Sequence, residues 1–116
     1  MNIHDRVKET TTTATNGDIT LAGAVTQFKS FSSRYATNEL FPYVIVGQSG
    51  TEWETGIGYL SGATTLVRYK IIQSSNSDSV VTLSAGTKDI FVYFMSRQAR
   101  NLIGKSNAMN LGMALP

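Results

Sequence analysis

Thr51-Glu52-Trp53-Glu54-Thr55-Gly56-Ile57-Gly58-Tyr59 is the stretch whose reading decides the fold. Successive side chains of an extended chain point to opposite faces. Thr51, Trp53, Thr55, Ile57 and Tyr59 therefore share one face, and Glu52, Glu54, Gly56 and Gly58 share the other. Gln48-Ser49-Gly50 before the stretch and Ser61-Gly62-Ala63 after it are turn signals. Upstream, residues 43–47 form a short apolar run that reads as a buried strand, with Pro42 breaking what precedes it. Downstream, residues 66–74, 80–84 and 88–95 continue the pattern, separated by the polar loop 74–79 and the turn 85–87.

Towards the N-terminus, residues 18–25 put Ile19, Leu21 and Gly23 on one face, and Asn16-Gly17 is a hairpin signal because both residues tolerate positive φ. Residues 32–40 read as irregular or as one helical turn. The β-branched run that includes Thr10 to Thr13 disfavours helix, so residues 1–15 are expected to form an N-terminal arm or an edge strand. Seven or eight short strands and no helical period predict an all-β fold, a single β-sandwich or barrel-like domain over residues 16–95. The expected core is Leu21, Ile45, Trp53, Ile57, Leu66, Val81, Leu83 and Phe91.

Composition agrees. Of 116 residues only 16% are charged, against roughly 25% for an ordinary domain. Fourteen Thr, twelve Ser and ten Gly take their place, residues of strands and turns. With no Cys there is no disulfide, thiol nucleophile or Cys-based metal site. The single His excludes a multi-histidine site within one chain, and no apolar run has the length of about 20 residues that a helical span needs. Nothing at the N-terminus has the layout of a signal peptide, so a cytosolic product is expected.

Charge is unevenly placed. Residues 1–89 hold seven basic and eight acidic side chains, whereas residues 90–116 hold Arg97, Arg100 and Lys105 and no acid. That segment also alternates, with Met109, Leu111, Met113 and Leu115 set between Asn110, Gly112 and Ala114. Residues 96–116 are expected to be a C-terminal arm that docks either on its own domain or on a neighbouring subunit. Arg97, Arg100, Leu102, Ile103, Lys105, Met109, Leu111 and Met113 are the expected contact residues. Three spaced charges are too few for nucleic-acid binding to be expected.

No constellation points to catalysis. His4 lies in a terminal segment expected to be mobile. Glu52 and Glu54 read as a solvated or salt-bridged face, with Arg68 and Lys70 at matching spacing on the next strand. Gly56, Gly58 and Gly62 lack the helix that a phosphate loop requires, and read as bulges or close backbone contacts under Trp53 and Tyr59. No cofactor or metal is expected.

Several blocks in order carry a resemblance. They are Asp5-Arg6-Val7-Lys8-Glu9 before the Thr run, residues 18–25, Trp53-Glu54-Thr55-Gly56-Ile57-Gly58, Thr65-Leu66-Val67-Arg68, Ser74-Ser75-Asn76 and residues 83–92. Together they resemble a module of tailed-bacteriophage structural proteins over residues 5–95. A stand-alone β module with arms also resembles the small capsid decoration (cement) proteins. The resemblance implies a non-enzymatic virion protein, assembled in the host cytoplasm as a homo-oligomer, with a trimer expected. It would contact other virion proteins, as capsid decoration or as a small tail-fibre or adaptor protein, and no membrane. A carbohydrate-binding module using Trp53 and Tyr59 for host adsorption is the alternative.

Overall fold

The computed structural model describes residues 1–93; the expected C-terminal arm, with Arg97, Arg100, Leu102, Ile103, Lys105, Met109, Leu111 and Met113, lies outside the described residues. The described residues are all-β, a six-stranded antiparallel sheet nearly closed into a barrel. The strands are β1 (Lys8–Thr11), β2 (Ile19–Thr20), β3 (Phe41–Gly47), β4 (Trp53–Gly62), β5 (Thr65–Ser74) and β6 (Lys88–Phe91), in the order β1-β6-β3-β4-β5-β2. The remaining gap is drawn together by the chain after β2. The amides of Ala22 and Val25 donate to the carbonyls of Thr10 and Lys8 at 2.8 and 3.0 Å, and Glu9 bridges Ala24. The bend at Asn16-Gly17 thus opens a wide return rather than a tight hairpin.

Of the two readings of residues 1–15, the structure takes the strand. β1 pairs with β6, and Val7, Glu9 and Thr11 are buried. These residues are built into the barrel and are not an arm free to reach a neighbour. His4 is likewise held: its ring packs edge-on against Tyr35, centroids 4.9 Å apart, and its amide donates to the Tyr35 hydroxyl at 3.2 Å.

The inward face of β4 is the opposite of the one expected. Glu54, Gly56, Gly58 and Leu60 are buried, whereas Trp53 is 39% exposed and Ile57 and Tyr59 are half-buried. Phe91 is half-buried too, while Leu21, Ile45, Leu66, Val81 and Leu83 do belong to the core. The reason is room. A Cβ on Gly56 would meet the Tyr43 hydroxyl at 3.0 Å, and one on Gly58 would meet the Val67 carbonyl oxygen at 2.7 Å. The two glycines leave space for the fully buried Tyr43 ring and for the close approach of β5. They are close backbone contacts, as expected, but beneath Tyr43 rather than Trp53 and Tyr59.

Three register shifts between β4 and β5 leave Ile72, Tyr69 and Ser61 as the extra residues, and such bulges bend and twist a strand pair as barrel closure requires. β3 starts earlier than expected and contains Pro42, at a level where β6 no longer pairs, since Val44 is the first β3 residue opposite β6. A proline is tolerated where one flank of a strand is vacant. Residues 80–84 are not a strand; they run as irregular chain that still buries Val81 and Leu83. Phe31, at the head of a single 3-10 turn (Phe31–Ser33), packs with Phe41 and Tyr35, with centroid distances of 4.9 Å from Phe31 to Phe41 and 4.5 Å from Tyr35 to Phe41.

Candidate functional site

The polar residues inside the barrel form a connected network. Arg68 lies on β5 opposite the buried Gly58, and its guanidinium turns inward. There Nη1 donates to Glu54 Oε1 at 3.0 Å and to the Val81 carbonyl at 2.8 Å. Nη2 donates to the carbonyls of Thr15 and Gly17 at 2.9 and 3.0 Å, and Nε to that of Gly17 at 3.1 Å. All five guanidinium protons are used. Glu54 also accepts from the Tyr43 hydroxyl at 2.7 Å and the Val81 amide at 2.9 Å. The side chains of Arg68 and Glu54 are 3% and 0% exposed. Burial, reinforced by the Glu54 charge, pushes the Tyr43 hydroxyl well above its ordinary value. The expected Glu–Arg pairing is therefore present, but in the interior rather than on a solvated face.

A second buried carboxylate, Glu9, accepts from the amides of Gly23 at 2.9 Å and Phe31 at 2.8 Å, pinning β1 to the segment that closes the barrel. No buried side-chain nitrogen or oxygen among the described residues lacks a partner.

A cleft of about 370 Å³ at the β3–β4 end is lined by residues including Ser49, Glu52, Ser84 and Lys88. Ser84 donates its hydroxyl to Glu52 Oε2 at 2.8 Å and its amide to Oε1 at 3.0 Å. These two bonds hold the Glu52 carboxyl below its usual range. Lys88 is buried, and its ammonium donates to the Ser84 carbonyl. Burial lowers its pKa and the nearby Glu52 charge partly offsets that. A nucleophile needs a base able to take its proton. Here the serine's acceptor is a carboxylate made less basic, and the lysine is turned to the main chain. Glu52 and Glu54 do different jobs, one closing a loop and the other anchoring Arg68, so they are not an acid–base pair. Among the described residues no cluster of His, Asp or Glu has the makings of a metal site.

On the outer face, Trp53 stands opposite Val46, which is 38% exposed, and Tyr59 contacts Tyr69, 62% exposed, at 6.1 Å between ring centroids. The sequence signal for this exposed aromatic surface was present in the alternation of β4; what it lacked was the sense of in and out. Compared with protein-family models, curated proteins and solved structures, the chain finds no match.

Proposed function

We propose that this chain is a non-enzymatic structural protein of a tailed-bacteriophage particle, a homotrimer acting as capsid decoration or as a small tail-fibre or adaptor protein. The observation that carries the reading is that the blocks of the resemblance hold the barrel's buried charged residues, Glu9, Glu54, Arg68 and Lys88. Trp53-Glu54-Thr55-Gly56-Ile57-Gly58 supplies Glu54 and the two glycines, Thr65-Leu66-Val67-Arg68 supplies Arg68, and residues 83–92 supply Leu83, Lys88 and β6. Polar groups committed to one another make a rigid block, which suits a part that transmits load rather than turning over a substrate. Purified particles provide the test. Gel densitometry should find the protein in stoichiometric amounts, hundreds of copies for decoration and tens or fewer for a tail part. Absence from washed particles sinks the proposal.

The exposed Trp53 and the Tyr59–Tyr69 pair favour a second reading, adsorption to host glycans, since aromatic faces stack on sugars. Trp53 fluorescence unchanged across a glycan panel would dismiss it.

A further inference from the structure

Beside β1 the structure holds two cations in a fixed pose. The Arg6 guanidinium lies 4.4 Å from the centre of the Phe28 ring, and the Lys8 ammonium 5.3 Å from it. Nε and Nη2 of Arg6 both donate to the Gln27 carbonyl oxygen, at 3.1 and 2.9 Å. The two residues joined in this way both have positive φ, 57° for Arg6 and 69° for Gln27. Non-glycine residues adopt that region at a cost, and such strain gathers at binding and switch sites. Here the strain fixes an exposed side chain rather than a core one. Next to the cations is a groove of about 280 Å³ whose apolar lining is Val7, Phe28, Phe91 and Val92, with Arg6 and Lys8 on its rim. Among the described residues the one ion pair is Arg68–Glu54, so neither rim cation is paired with a carboxylate there.

We propose that this groove docks an acidic segment of another protein, with a carboxylate against Arg6 and Lys8 and an aliphatic side chain on Phe91 and Val92. Gln27 occupies the Nε side of the guanidinium, and the Nη1–Nη2 edge remains for forked recognition of a carboxylate. The apolar floor gives no purchase to a bare anion. A nucleic acid fits worse, because two cations reach few phosphates and the Phe28 ring that a base would stack on is already covered by them.

The test uses the isotope-labelled full chain titrated with acetyl-Leu-Glu-Leu-Glu-amide and followed by amide chemical shifts. Shifts are expected at residues 6–8, 27–29 and 91–92. Binding should weaken about tenfold for the Leu-Gln-Leu-Gln peptide and for the Lys8→Gln variant, the loss of one charge-assisted contact. Lys8→Gln is chosen because Arg6→Gln also removes the hold on Gln27. Equal binding of the two peptides overturns the proposal, as do shifts confined to other surfaces or none at all. The same shifts appearing on raising protein concentration alone would overturn it in favour of a second copy in the groove. Stronger binding of oligothymidylate would overturn it in favour of nucleic acid. The assay uses the isolated chain, so its failure is distinct from absence from particles.

Discussion

Removing the Arg68 guanidinium would leave the Glu54 carboxylate buried with only Tyr43 and the Val81 amide as partners. It would also strip the carbonyls of Gly17 and Val81 of their donors and leave that of Thr15 with the Leu83 amide alone. Breaking one half of a buried pair costs about 3–5 kcal/mol because the other charge stays behind, so Arg68→Met is expected to lower the unfolding free energy by about that much in denaturant titrations. Adding Glu54→Gln should recover part of the loss, and a double variant that costs the sum of the singles would show the two groups to be uncoupled. That Glu and Arg would pair across β4 and β5 was legible from their alternate spacing. Their burial was not, because the sequence pattern favours large apolar side chains on the inside and says nothing of the main-chain carbonyls of Thr15, Gly17 and Val81 that satisfy the guanidinium there.

At the scale of the element, β4 shows both the reach and the limit of a period-two pattern. Its length and its partition into two faces follow from Thr51 to Tyr59, but the choice between faces depends on the barrel's tight interior, where Tyr43 needs Gly56 beneath it. Gly56→Ala would drive a methyl group against both that hydroxyl and the Lys70 carbonyl. The expected cost is about 1–3 kcal/mol, the range for overpacking. Gly62→Ala, with nothing within 4 Å of the new methyl, should stay within about 0.5 kcal/mol, as ordinary surface changes do. Thermal melts of the pair separate packing from the general effect of replacing glycine; equal shifts would refute the account. Residues 80–84 were misread for a related reason. Val81 and Leu83 alternate as a strand would, yet the Val81 amide goes to Glu54 and the Leu83 amide to the Thr15 carbonyl, so side-chain and loop contacts replace a ladder.

For the whole molecule, the six strands of the described residues lie within residues 7–92, from the buried Val7 to the bond from the Val92 amide to the Val7 carbonyl. Deleting residues 96–116 is therefore expected to leave the circular dichroism spectrum and melting of the core intact. If the arm holds subunits together, sedimentation should report monomers; an unchanged oligomer would place the contact on the barrel. The all-β class was legible because turns and alternation are local, whereas the closing of β1 by residues 22–25 is set by contacts that no local pattern encodes. Arg68 gives that closure a consequence in time. Its partners lie 14, 51 and 53 residues before it and 13 after it, so the knot cannot tie until distant parts of the chain have arrived. Interactions made that late add little to the speed of folding and mostly hold back its reversal. The barrel should come apart slowly, a durability measured as lifetime rather than as equilibrium, and one secured without a single covalent cross-link.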